Sequence, residues 1–370
     1  MFILELFEVV LVFLLSLSQL QKASLFGLHV YFADLFIVLF LIYAQYKYHW
    51  CKKLLIAWKK NSEQNKKIAI SGFLIVLISW VQAAIHHNLS LTPFLQLFRL
   101  IIYLCFVIVY KEVHPSPKRL WLSIIVIIAT LGLLQYFLLP DLRFLTWAGY
   151  DDHFYRLAST LLDPNFAGLI FVFGLNYYFL QKRMNWPMAI LLLITLYLTY
   201  SRAAYLGLLL SGLYVLQNKK RYAILIILLL FFASLPLLPT HSGGDGVNLA
   251  RTASVNARLD KDLSILQKSQ GIDHLLGRGF LVSEKDSGFP NNFFVLIWNN
   301  LGLFGLIWLL AVAKNNYKKL SLLQKTLLIS FITFSMFNHA ITQTTILLAG
   351  LGLFSIGNHK RNSTSTLSSV

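Results

Sequence analysis

"ITLYLTYSRAAYLGLLLSG", residues 194–212, is the stretch on which the reading of the whole chain turns. Apart from Arg202 it is apolar, hydroxylated or small, so a bilayer accepts nearly all of it. An arginine at depth costs about 2.5–3.5 kcal/mol on insertion scales. Either the side chain snorkels to an interface, or an anionic ligand at the mouth of a helix pair offsets the cost.

The rest of the chain agrees with a membrane setting. Of its 370 residues 57% are hydrophobic and only 13% charged, with a mean hydropathy of +0.66. That composition describes an all-α polytopic integral membrane protein, not a soluble domain with a large core. Apolar runs of spanning length are expected near 3–20, 26–46, 68–86, 94–110, 120–139, 165–180, 187–201, 203–216, 222–238, 291–312, 326–338 and 342–356. The pair 326–338 and 342–356 is short for two spans, so the reading is 11 or 12 transmembrane helices. Residues 1–356 then form one membrane domain, and 357–370 a polar, disordered cytoplasmic tail. The first run lacks a basic n-region and is expected to be retained as a span. Cys51 and Cys105 fall in a basic loop and inside a span, which argues against a disulfide or a zinc cage.

The net charge of +17 is placed like a topology signal and not like a nucleic-acid footprint. Lysine dominates the alternate loops 47–67, 111–119, 217–221 and 313–325, which puts both termini in the cytoplasm. On the opposite side arginine outnumbers lysine: Arg143, Arg156, Arg202, Arg251, Arg258 and Arg278. Arginine suits bidentate capture of phosphate or carboxylate, so the chemistry is expected on that outer face.

Two outer segments are long. Residues 140–164 carry Trp147, Tyr150, Phe154 and Tyr155, aromatics suited to an interface or to stacking on sugar. Residues 239–290 contain "SVNARLDKDLSILQKSQG", an amphipathic helix with Leu259, Leu263 and Leu266 on one stripe, a cap at Ser254 or Asn256, and Gly271 to end it. Arg251 and Arg258 share a face if that helix begins early enough. "LLGRGF" then holds Arg278 between Gly277 and Gly279. Metal and nucleotide motifs are absent from the sequence, including G-x-x-x-x-G-K-[ST], H-E-x-x-H and G-x-S-x-G. No metal or cofactor is therefore expected, and the energy for any reaction must reside in the substrate.

Four motifs occur in a telling order: "LDPNFAGLI" (162–170), "TYSRAAYLGL" (199–208), "NARLDKDLSILQKSQGIDHLLGRGF" (256–280) and "PNNFFVLIWNNLGLFGLIWLL" (290–310). Over roughly residues 160–315 this order resembles the O-antigen ligase and polymerase-like superfamily of bacterial membrane glycosyltransferases. The resemblance implies metal-independent transfer of an oligosaccharide from an undecaprenyl diphosphate donor at the outer face of the bacterial cytoplasmic membrane. It implies flippases and chain-length regulators as partners, and O-antigen, capsule or exopolysaccharide as product. Carried over by residue, Arg202 matches the arginine of the S-R motif and Arg258 the loop-helix arginine. Arg278 sits in the G-x-G turn. Asn165, Asn291 and Asn292 fall at family motif positions, Asn291 and Asn292 where His-Asn is usual.

That departure removes the presumed general base, because an amide takes no proton at neutral pH. Candidate replacements are Asp260, Asp262, Asp286, Glu284, His274 and His339. The catalytic set expected is thus Arg202, Arg258 and Asn291, with Arg251, Arg278, Asn165, Asn292, Trp147 and Tyr150 binding substrate. Polymerase activity is the reading taken forward. A ligase differs only in its acceptor, and a lipid-linked glycan flippase would show broken helices and charge near mid-membrane. Arg99 is expected to pair with Asp34, Asn165 to act as a helix cap, and His86 and His87 to sit at the interface.

Overall fold

The computed structural model describes residues 2–25, 28–60, 62–88, 90–114, 116–148, 150, 155–216, 221–238, 249, 253–282, 289–338, 340 and 343–357. Helix α1 (Phe2–Leu17) leads into a hairpin of β1 (Lys22–Leu25) and β2 (Leu28–Tyr31), paired antiparallel from Lys22–Tyr31 to Leu25–Leu28. The second span therefore starts later than residue 26. Lys22, Ser24 and His29 are too polar for a continuous apolar helix, and pairing satisfies their backbone instead. Helix α2 (Phe32–Tyr48) follows, with Asp34 in its first turn salt-bridged to Arg99 at 2.9 Å, as expected from the sequence. The 47–67 segment, read as loop, contains the amphipathic α3 (Trp50–Lys60) and the start of α4 (Glu63–Ile85).

Helices α5 (Leu91–Val113) and α6 (Pro117–Leu138) precede the first long connection. After it comes α7 (Pro164–Phe179), every residue of which is buried. A helix that is apolar all round suits either lipid or a protein interior, and α7 takes the interior, packed against α6, α8 (Trp186–Leu198) and α9 (Arg202–Val215). Helix α10 (Arg221–Ser234) lies beside α9. The second long connection carries α11 (Ala253–Lys268) and the single turn α12 (Asp273–Leu276). The chain ends with α13 (Phe293–Tyr317), α14 (Leu322–Ser335) and α15 (Thr344–Ile356), so the 326–356 run divides in two. A Cβ at Gly207 of α9 would stand 3.5 Å from the Ser330 carbonyl oxygen of α14, and Ser330 Oγ accepts from Asn176 Nδ2 at 2.9 Å. Small residues thus let two backbones close on each other where the hydrophobic effect cannot drive association.

Helices α1, α4, α5, α6 and α13 are long and apolar enough to cross a bilayer, and five shorter apolar helices accompany them. One hydrophobic cluster runs from Leu4 to Leu353 and joins most of them. The chain is an all-α, multi-pass membrane protein. Both long connections emerge on one side, called here the long-loop face.

Helix α13 is long and apolar enough to be the span expected at 291–312, but it is interrupted along its length. It breaks at Gly302, whose φ of +64° and ψ of −162° belong to glycine alone. The carbonyls of Asn299 and Asn300 on the near side of the break accept from Arg278 N (2.7 Å) and Gly279 N (3.2 Å). Non-helical backbone at such a place survives only when protein satisfies it. A Cβ at Gly302 would stand 2.3 Å from the Leu275 carbonyl oxygen. Gly302→Ala is therefore expected to destabilise the protein by about 3 kcal/mol or more, read as a lower melting temperature in detergent. An unchanged melt would show that the break closes into a continuous helix.

Candidate functional site

The long-loop face gathers the N-terminal ends of α7, α9 and α13. Asp163, not Asn165, caps α7: its Oδ1 accepts from Asn165 N at 2.7 Å. This frees the Asn165 side chain, whose Oδ1 accepts from Ser201 Oγ at 3.1 Å, while its buried Nδ2 has no partner. Ser201 in turn caps α9 and places Arg202 at the first helical position. Arg202 is exposed, and its Nη1 donates to the Leu249 carbonyl at 3.1 Å. So the arginine of the opening stretch escapes the apolar interior, and Asn165 lies one hydrogen bond from the residue before it.

The turn that presents Arg202 is built around a residue the sequence left among the general arginines. Arg156 is 0% exposed, and its Nε and Nη2 donate to the Thr199 (2.8 Å) and Tyr200 (3.3 Å) carbonyls at the end of α8. Gln135 holds the neighbouring backbone, donating to the Arg156 carbonyl and accepting from Ala158 N and Ser159 N. Burial of an arginine beside carbonyl-rich helix ends is a packing event, and nothing in its local sequence marks it.

Helix α11 reaches this place from above. It already includes Ser254 and Asn256, so neither is its cap, and Gly271 (φ +52°) closes the turn after it as expected. Its leucine stripe faces outward, Leu259 and Leu263 being 54% exposed. The buried side carries Ile265 and Asp262 instead. Asp262 accepts Asn291 N at 2.7 Å on one oxygen and Asn292 N at 3.2 Å on the other, which pins α11 to the start of α13. One turn earlier, Arg258 comes close enough to Arg202 for the two positive charges to act on each other. Burial raises the Asp262 carboxyl above its ordinary value, against the lowering pull of those two N–H groups, Lys261 and Arg258.

The pair Asn291–Asn292 divides its work. Asn292 is a structural cap: Oδ1 accepts from Phe294 N and Val295 N, and Nδ2 donates to the Met336 carbonyl. That corrects its expected role in holding substrate, since both ends of its amide are spent on backbone. Asn291 is partly buried, and its side-chain amide makes no hydrogen bond among the described residues. Arg278 does not join the Arg202 group; it faces Asp273, with Nε 3.7 Å from Oδ2. Tyr150 is buried with Leu142, Ala158 and Leu162, so it anchors its own loop and offers no open platform to sugar. Asp260 and His274 are exposed, and His274 lies against Trp298. Arg251, Phe154, Glu284, Asp286, His339 and the side chain of Trp147 lie outside the described residues.

The geometry thus brings together Arg202, Arg258, Asp262, Asn165 and Asn291 at three helix N-termini. Backbone N–H groups and positive helix ends favour an anion there, and the guanidiniums of Arg202 and Arg258 favour it further. Among the described residues no group of His, Cys, Asp and Glu is arranged to hold a metal ion. The fold and site define a multi-pass membrane protein with a cationic cluster on its long-loop face. No protein family, no curated protein and no solved structure matches this chain.

Proposed function

We propose that the chain is a membrane glycosyltransferase that polymerises lipid-linked oligosaccharide repeat units. The observation that carries the reading is the buried Asp262 carboxylate, which ties α11, and with it Arg258, to the start of α13 on the long-loop face that also carries Arg202. In this reading 11 or 12 helices cross the bacterial cytoplasmic membrane, the long-loop face is outside and both termini are cytoplasmic. Arg202 and Arg258 hold the diphosphate of an undecaprenyl-linked donor. The acceptor hydroxyl attacks the anomeric carbon as the bond from that carbon to the diphosphate oxygen breaks, and its proton passes to Asp262. Charge grows on the departing diphosphate, so pre-positioned guanidiniums favour the transition state over the ground state. Asn291 orients the acceptor.

A purified preparation in detergent, given undecaprenyl diphosphate repeat units without metal or nucleotide, is expected to yield a ladder of products resolved by size. Absence of any ladder on the host's own repeat unit would sink the polymerase reading. A ligase would move finished chains to another acceptor. A flippase draws support from the break in α13 and the buried Asn299 and Asn300 beside it. It would translocate labelled lipid-linked glycan in vesicles without lengthening it.

The Asp262 assignment predicts a pH limb. A base works only when ionised, so elongation falls as pH drops through the Asp262 pKa, which burial raises, and the limb sits above the ordinary carboxylate range. Asp262→Asn is expected to cost about 10²–10⁴-fold in rate and to remove that limb. A variant that kept the wild-type profile would return Asp262 to a purely structural role at the end of α13.

A further inference from the structure

A second polar nest lies further along α13, where α11, α12 and the Gly277–Gly279 turn dip beside α4. Asp273 is only 5% exposed, yet its oxygens are unequally served. Oδ1 accepts Gln82 Nε2 at 2.9 Å and pairs with His86 Nε2 at 3.0 Å. Oδ2 has only long contacts, Gln270 N at 3.5 Å and Arg278 Nε at 3.7 Å. On the α13 side, Asn299 Nδ2 donates to Asn300 Oδ1 at 3.4 Å and Ser269 Oγ to Asn299 Oδ1 at 3.5 Å. Asn300 is 1% exposed, and its Nδ2 is buried without a partner. The nest therefore holds an under-used acceptor and an unused donor. Its rim is open: the His86 side chain is 36% exposed, and the exposed His274 ring lies tilted against Trp298, centroids 6.0 Å apart.

We infer that this nest is a saccharide-binding site, separate from the arginine cluster. Sugar hydroxyls both donate and accept, so a saccharide can answer an under-used acceptor such as Asp273 Oδ2 and an unused donor such as Asn300 Nδ2. Side-chain amides, one carboxylate and an imidazole fix orientation, and Trp298 supplies an apolar ring face. A diphosphate is the wrong occupant, because the Asp273 carboxylate already answers the Arg278 charge. A metal ion is also the wrong one, since Asp273 and His86 alone are too few ligands. The distance along α13 suits a neighbouring sugar of the same substrate: Asn291 lies just before the helix, and Asn299 is six residues beyond Phe293, its first residue, roughly 9 Å along the axis. The identity of that substrate rests on the glycan reading above; the existence of the site does not.

Saturation-transfer NMR on the full-length protein in detergent tests it with free glucose, galactose, mannose, rhamnose and N-acetylglucosamine, all lacking phosphate. At least one is expected to receive saturation, with affinity weakened at least fivefold in both Asn300→Ala and His86→Gln. The second variant keeps a hydrogen-bonding group of similar reach, so one folded reporter survives if the first does not fold. Saturation of no sugar, or equal binding by wild type and variants, overturns the site. Because free sugars are used, a protein that binds them through these residues yet builds no polymer supports the site while the polymerase reading fails. A protein that builds polymer but fails the sugar test loses the site and keeps the activity.

Discussion

Arg202→Ala is expected to lower chain elongation by about 10²–10³-fold, the cost of removing one pre-positioned donor from a transition state with developing charge. Its first helical position supplies the reason. Ser201 fixes the start of α9, and the guanidinium leaves the apolar stretch to meet the Leu249 carbonyl and the field of Arg258. Without an anion the two cations repel, so part of the binding energy of a diphosphate is relief of that repulsion. Arg258→Ala should then cost a similar factor, and the double variant less than the product of the two, because either loss removes the shared partner. Retention of donor affinity in Arg202→Ala, measured with undecaprenyl diphosphate itself, would remove this arginine from the site. Arg202→Lys distinguishes charge from geometry: a point charge keeps part of the affinity but loses the bidentate fork.

How much of this was legible beforehand differs by kind of interaction. The helices were readable because spanning length and apolar composition are local properties, and α14 and α15 divide where the sequence allows two short spans. The Asp34–Arg99 pair was readable because two opposite charges inside apolar runs have few other partners. Elements fixed by non-local hydrogen bonds were not. The break at Gly302 depends on Arg278 and Gly279 filling carbonyls from another segment, and no periodicity in "NNLGLFG" announces it. On α11 the leucine stripe was legible but the face that packs on the protein was not: in a bilayer interface leucines can face lipid, and it is Asp262 that turns inward. His86 likewise reads as an interfacial residue until Asp273, far along the chain, comes to meet it. Arg202 and Arg258 were singled out because arginine outside lysine-rich loops is a selective signal and because both fall on motifs of the resemblance.

Arg156→Ala is expected to destabilise the fold by about 3–5 kcal/mol, a loss on the scale of breaking a buried charged network. The guanidinium closes the end of α8, where Thr199 and Tyr200 present carbonyls to the protein interior as the chain turns through Tyr200 at φ +53°. Truncation leaves both without those bonds, at about 1–3 kcal/mol each, and opens a cavity where a large, fully buried side chain stood. Lysine is a poor substitute, because a single ammonium on a flexible stem does not span two carbonyls as a planar fork does. Arg156→Lys should therefore melt between wild type and Arg156→Ala. The functional consequence expected under the proposed function follows from the covalent chain: Thr199 and Tyr200 lead directly into Ser201 and Arg202, so loosening them lets the Arg202 guanidinium wander. Even with activity normalised to folded protein, Arg156→Lys is expected to elongate more slowly than wild type, since displacement of a positioning group by about 1 Å can cost 10²-fold. A melt of Arg156→Ala within a degree or two of wild type would show that water or another group serves these carbonyls, and Arg156 would lose its role in placing Arg202.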